Sequence, residues 1–369
     1  MKLPPQTPYR FFIIICKKSL SEERDLNMGI TLKQIAEMAG TTKSTVDKVI
    51  HDRPGVSEKK RKEIKKLLKE YGYEANPLAK ALNYQNRKMK VEVVLPQVQA
   101  AVRIRQGINI VIQDFQSFNI QVEYHEVGSS DADAQAACIR KMAEERVSGA
   151  VILPIRSQEV IDAIRSLIDL DIPVVLVNSE PSVEGILCYV GQNTVQSGSV
   201  AARMLSLFMN GSSRIGIISC HNMITHEQRE QSFISNVNDF FPGFSIRDIR
   251  YILETPENAR EQTLEMLRSH PEIDSVFITC GCVPEICAAL REYREETGSE
   301  IRPVVICYEK YEEIRALLKT GDVSCTLSGG LFMQGRLSMR ILFEYLVYEK
   351  VPEHKAYYLN NKIMIRENS

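Results

Sequence analysis

The chain has no tryptophan, and only 6 histidines and 7% aromatic residues among its 369 positions. Any aromatic stacking it performs falls to tyrosine and phenylalanine. No histidine pair has the H-E-x-x-H or H-x-x-x-H spacing of a helical zinc site, and the 9 cysteines include no C-x-x-C pair. The glycines form neither G-x-G-x-x-G nor a phosphate-binding loop, and no G-x-S-x-G elbow occurs. No catalytic constellation is left, so the chain reads as a non-enzyme that needs neither cofactor nor metal. Long apolar runs are also missing. Phe11 to Cys16, FFIIIC, falls well short of the ~20 residues that span a bilayer and of a signal-peptide core, so neither export nor a membrane partner is indicated. In so large a chain the cysteines read as small hydrophobes of a reduced, cytoplasmic protein. Cys280, Cys282 and Cys287, spaced C-x-C-x4-C at the end of a strand, keep a thiol or metal site open as the lesser reading.

The net charge of −1 hides two opposed regions. Residues 28–90 hold 15 Lys and Arg against 7 Asp and Glu, whereas residues 91–369 hold 26 against 37. A small basic region can neutralise phosphates and release counterions, while the acidic remainder is repelled from a duplex. Taken alone, Lys59, Lys60, Lys62, Lys65 and Lys66 are better explained as a solvated helix face than as a nucleic-acid patch.

Their neighbours change that balance. Between Ile30 and Leu82, Thr31 and Gln34 form a T-x-x-Q capping box, and Leu32, Ile35 and Ala36 give a first helix an inward face. Gly40 ends that helix, and Thr41 and Thr42 offer caps for a second helix through Val46 and Val49. Two helices joined so closely form a helix-turn-helix, whose second helix lies in the major groove. The candidate base-reading residues are Thr42, Lys43, Ser44, Thr45 and Lys48. The segment closely resembles the headpiece of LacI-family bacterial repressors, which usually read T-x-x-x-I-A-x-x-A-G-V-S-x-x-T-V-S-R-V-L. It departs with Thr41-Thr42 for Val-Ser, Asp47 for Ser and Lys48 for Arg. Lysine cannot make arginine's bidentate fork to guanine, so an altered operator is expected.

Asn76-Pro77-Leu78-Ala79-Lys80-Ala81-Leu82 resembles the hinge helix of the same family. Asn76 suits an N-cap and Pro77 the first helical position, but so short a helix is unstable alone and should order on DNA. The resemblance makes Leu82, with Ala79 packed beside it, an apolar wedge in the minor groove. A wedge paired with its copy implies a homodimer on pseudo-palindromic double-stranded DNA, hence association with the nucleoid. Met28 lies three residues before the capping box, where family members commonly begin. Residues 1–27 therefore read as translation from an upstream start, or as a basic tail of little order.

Beyond residue 90, apolar runs alternate with amphipathic helices. Strands are expected at Val91–Pro96, Ile120–His125, Ala150–Pro154, Pro173–Asn178, Arg214–Ser219, Ile249–Leu253, Ser275–Thr279 and Pro303–Cys307. The fold class is thus an all-α helix-turn-helix headpiece (28–74) with a hinge helix and linker (75–90), then an α/β core of two doubly wound parallel-sheet lobes. The first lobe takes about 91–191 and 330–350, the second about 192–329 and 351–369. Lys355 to Ile365 reads as a strand of the second lobe, and no C-terminal leucine heptad argues for a tetramer.

This core resembles type I periplasmic binding proteins of the ribose-binding kind, through Tyr189-Val190-Gly191-Gln192-Asn193 with Ser197-Gly198, Ile224 to Arg229 with Phe233, and Gln334-Gly335. The resemblance implies a sugar-like effector held between the lobes by Asn178, Glu180, Asn193, Arg229 and Glu309. The loop Pro96 to Val102 lacks the usual aromatic, which leaves Phe332, Tyr189 or Tyr308 for stacking. Gly185-Ile186 stands where relatives carry arginines, and Gly329 where they carry a ligand glutamine. The expected protein is a ligand-controlled transcriptional regulator, most simply a repressor. The competing expectation is an architectural DNA-binding dimer with a degenerate pocket.

Overall fold

The computed structural model describes residues 32–50, 54–71 and 88–369. Thr31, the hinge residues Asn76, Ala79 and Leu82, and residues 1–27 lie outside the described residues. Residues 32–71 and 88–369 belong to separate compact units.

In the first unit α1 (Leu32–Met38), α2 (Lys43–Ile50) and α3 (Glu58–Glu70) enclose Ile35, Ala36, Ala39, Val46, Val49 and Ile64. Gly40, at φ +54°, takes the left-handed conformation that ends α1. The Thr42 hydroxyl accepts the Thr45 amide at 3.2 Å and so caps α2. Ser57 caps α3 by accepting the Lys60 amide at 3.4 Å.

The second unit holds two sheets of six strands each. The first comprises β1 (Met89–Pro96), β2 (Ile120–Val127), β3 (Gly149–Ile152), β4 (Val174–Val177), β5 (Cys188–Gln192) and β11 (Ala356–Leu359), in the order β11-β5-β4-β3-β1-β2. The second comprises β6 (Ser213–Ser219), β7 (Phe244–Tyr251), β8 (Ser275–Ile278), β9 (Val304–Tyr308), β10 (Cys325–Ser328) and β12 (Lys362–Met364), in the order β12-β10-β9-β8-β6-β7. The continuous apolar runs follow from burial of both faces. On β4, Val175 and Val177 face one hydrophobic cluster, while Val174 and Leu176 face the other. Each such fully buried side chain stabilises by about 1.5–3 kcal/mol before chain entropy is counted.

Helices α4 (Gln99–Asp114) and α12 (Leu331–Tyr348) cover one face of the first sheet, and α5 (Ala132–Glu144) and α6 (Gln158–Ile168) the other. On the second sheet α7 (Thr194–Phe208) and α8 (Ile224–Phe240) oppose α9 (Pro256–Ser269), α10 (Val283–Thr297) and α11 (Glu312–Thr320).

The C-terminal segment corrects the expectation of one strand in the second lobe. Ala356–Leu359 pairs in parallel with β5 of the first sheet, and only Lys362–Met364 joins the second, antiparallel to β10. Ala356 and Tyr357 find apolar partners in the first lobe, and Met364 in the second, so the chain crosses between them. Strand β7 begins at Phe244 rather than Ile249, because a register shift after Ile215 lets its irregular, polar sequence follow β6.

Candidate DNA-binding face and effector cleft

In the small unit, α2 is buried along Val46 and Val49, which turns its polar residues outward. Thr42, Lys43 and Ser44 are exposed, and Thr45 and Lys48 are partly so. The structure thus places all five expected reading residues on one helix and its cap. The Thr42 hydroxyl also lies 3.0 Å from that of Thr45, so capping occupies part of its hydrogen-bonding capacity. The Lys48 ammonium lies over the turn at Gly55, where a Cβ would stand 3.6 Å from Nζ.

In the core, the carboxyl ends of both sheets open on a narrow cleft. The first lobe lends it Val98, Gln99, Ala100 and Asn178; the second lends His226, Arg229, Glu254, Thr279, Glu309 and Tyr311 among others. Asn178 follows β4 at φ +67° and Glu309 follows β9 at φ +76°. Each donates its amide to the neighbouring strand at 2.9 Å, Asn178 to Val190 and Glu309 to Leu327. The Asn178 amide group donates to Gln334 at 3.1 Å, while its carbonyl accepts the Thr225 hydroxyl at 3.0 Å, tying the first lobe to α8.

Arg229 is 4% exposed and stacks over the Tyr308 ring at 3.8 Å. Its Nη1 donates to the Thr279 carbonyl at 3.1 Å and its Nη2 to Gln192 Oε1 at 2.7 Å, with Glu309 Oε1 further off at 3.5 Å. Its Nε is buried with no hydrogen-bond partner among the described residues. Close approach of α7 to α8 sets this position: a Cβ on Gly198 would stand 2.4 Å from the Arg229 carbonyl oxygen. Burial pushes the Glu309 carboxyl up from its ordinary range, against the pull of the Arg229 guanidinium.

Asn178, Arg229 and Glu309 therefore meet at the cleft, and two other expected residues do not. Asn193 spends its side chain as the cap of α7, accepting the Gln196 amide at 2.9 Å. Glu180 turns to the Tyr358 hydroxyl at 2.9 Å on β11. Neither is among the residues lining the cleft. Of the stacking candidates, Tyr308 lines the cleft with its ring under Arg229, whereas Phe332 lines an adjoining groove that shares Glu309 and Tyr311, and Tyr189 is buried with its hydroxyl on the backbone carbonyl of Asn178. Tyr311, which the sequence did not single out, also lines the cleft.

Gln192 and His226 stood inside the phrases noted in the sequence but carried no assigned role. Gln192 is 1% exposed, holds Arg229, and bonds Asn361 where the chain crosses between β11 and β12. At Gly329 a Cβ would stand 3.1 Å from the Gln192 side chain, and Gln334 donates to the Gly329 carbonyl at 2.9 Å. The two glutamines thus crowd the position where relatives carry a side chain.

Two linked α/β lobes with a cleft at their strand ends that mixes apolar and charged side chains, in a chain that also carries a helix-turn-helix unit, define a two-part architecture. Comparison with known proteins agrees on both parts. Residues 93–350 match the periplasmic binding protein domain family, and residues 31–76 match the bacterial regulatory proteins of the lacI family. The HTH-type transcriptional regulator RegA of Clostridium saccharobutylicum is 26% identical over 48% of this chain and 52% of its own length. The sucrose operon repressor of Vibrio alginolyticus is 36% identical over 17% of this chain and 66% of its own length. The chain thus spans about half to two-thirds of these relatives. Among solved structures, the glucose-galactose binding protein GanP of Geobacillus stearothermophilus superposes with a TM-score of 0.69 at 18% identity, covering 77% of this chain and 99% of that one. A Bacteroides fragilis protein described as a LacI transcriptional regulator gives 0.68 at 22% identity, covering 76% and 98%. The chain belongs to the periplasmic binding protein domain family through residues 93–350, and residues 31–76 give it a DNA-binding domain of the lacI type.

Proposed function

We propose that this protein is a DNA-binding repressor of transcription whose operator affinity is set by a small polar molecule, carbohydrate in type, held between the lobes. The observation that carries the reading is the cleft itself. Asn178, Arg229 and Glu309 converge on it from both lobes, and Arg229 Nε is a buried donor without a partner among the described residues, which a ligand hydroxyl can satisfy. A degenerate pocket in an architectural protein has no reason to keep such a charged, buried set. The names of a sucrose operon repressor and a glucose-galactose binding protein among the similar proteins support the carbohydrate class. A homodimer reading a pseudo-palindromic operator follows from the family's hinge logic, in which ligand and DNA bias one equilibrium and each alters the other's affinity by the same factor.

The test selects operators from random duplexes with the full-length protein, then repeats the binding with sugars, polyols and sugar phosphates. A ligand that shifts operator affinity by about 5- to 150-fold supports the reading. A selected site indifferent to the whole panel, together with no thermal stabilisation, favours the architectural protein. On that operator Lys48→Ala should cost about 1–3 kcal/mol of specific binding, while Lys59→Ala should weaken all sequences alike.

A further inference from the structure

The second-lobe wall of the cleft contains a group of side chains that the carbohydrate reading does not use. The pairing of β6 with β8 runs in register from Ile215–Ser275 to Ile218–Ile278. The same step, continued two residues past that last pair, sets Cys220 opposite Cys280. Their sulfur atoms and a carboxylate oxygen of Glu254 lie within 4.8 Å of one another. We infer that Cys220, Cys280 and Glu254, supported by His226, form a binding site for a thiophilic divalent cation of the zinc class.

The donor set fits that chemistry. Two thiolates and a carboxylate, with an imidazole beside them, are ligands that zinc takes in tetrahedral sites, where bonds of about 2.0–2.3 Å put ligand atoms roughly 3.5–3.8 Å apart. The three groups therefore need only small rotamer adjustments. A supporting shell also stands in place, of the kind that orients metal ligands. Glu254 Oε2 accepts from Asn222 Nδ2 at 2.8 Å and Oε1 from the Gly281 amide at 2.8 Å. In the metal-free thiol state Asn222 Oδ1 accepts the Cys220 thiol at 2.9 Å, a bond that ends when Cys220 binds as thiolate. His226 Nδ1 lies 2.8 Å from the Thr279 carbonyl, and since a carbonyl only accepts, the proton sits on Nδ1 and leaves the Nε2 lone pair free, beside the three clustered ligand groups rather than among them.

Cys280, Glu254 and His226 line the cleft, which gives an ion its path from solvent. On binding, each thiol bound as thiolate releases its proton to solvent. The other cluster of this kind among the described residues, Glu92, Glu123 and His125, already holds the Lys90 ammonium, at 2.6 Å from Glu92 and 3.0 Å from Glu123.

The full-length protein, kept reduced, should bind one Zn²⁺ per chain in competition with a chromophoric chelator. Co²⁺ in its place should give the intense near-ultraviolet absorption of thiolate-to-metal charge transfer. The double substitution Cys220→Ser, Cys280→Ser should abolish that absorption, and Asn222→Ala should keep it while weakening the ion about 10- to 100-fold. Metal-free thermal unfolding checks that each variant is folded, and Glu254→Gln supplies the affinity loss should the double variant not fold. Failure of the reduced parent to bind, a cobalt complex without charge transfer, or zinc binding undiminished in the variants overturns the site. No readout involves DNA or sugar, so this inference goes beyond the proposed function and fails independently of it.

Discussion

The two lobes share an architecture and differ in chemistry. Their sheets have the same strand order, β5-β4-β3-β1-β2 answering β10-β9-β8-β6-β7, each with one C-terminal strand added at the same edge. Asn178 after β4 and Glu309 after β9 are counterparts, both left-handed and both bonded to the next strand. Yet almost every charged group of the cleft belongs to the second lobe or, like Arg229, to a helix packed on it. Repeating a fold thus repeats the backbone that presents a residue to a cleft, while the identity of that residue stays free. Asparagine enters the left-handed region easily, whereas for glutamate it costs about 1–2 kcal/mol. Strain retained at a buried acid fits a residue kept for its chemistry.

Substitutions at three positions sharpen or break this contrast. The largest effect is expected from Arg229→Ala, which leaves Glu309 buried without its cation and should lower unfolding free energy in urea by about 3–5 kcal/mol. Asn178→Ala should cost less, about 1–3 kcal/mol, through the lost bond to Gln334 and the left-handed backbone, with Asn178→Gly recovering the backbone part. Equal losses from Arg229→Ala and Asn178→Ala would mean that the lobes are energetically alike. The smallest effect is one of pH. Because the Glu309 carboxyl is raised in the fold, its contribution is fully present below its ordinary value of about 4.5 and is lost as pH rises through the raised value. The stability of Glu309→Gln relative to the parent should therefore improve as pH increases above about 4.5; a flat difference would show that Arg229 fully offsets burial.

Much of this was legible in the chain. Helices α1 and α2 could be read because a terminating glycine after the first, a cap before the second and apolar spacing in both are local signals, and the strands of the first sheet because burial on both faces leaves unbroken apolar runs. The cleft was legible only in part. Asn178 and Glu309 could be placed because a polar residue after a buried strand has few other places to go. Asn193 and Glu180 stood equally near strand ends, but one is consumed by a helix cap and the other by a tyrosine about 180 residues away, at Tyr358. Gln192 and His226 stood in quoted phrases without a role, and Cys220 went unnoticed, because Arg229, Thr279 and Cys280, which give them their places, are distant in sequence.

The sequence by itself determined the small helical unit, the opposed charges, the two-lobed parallel α/β class and the family to which the chain belongs, since each rests on periodicity, capping or contiguous phrases. Only the tertiary structure decided that the last strands divide between the sheets, that Arg229 is held by Gln192 and Tyr308, and that Cys220 meets Cys280 and Glu254. Such pairings depend on strand register and on the close approach of α7 to α8, which bring together residues that no local pattern connects.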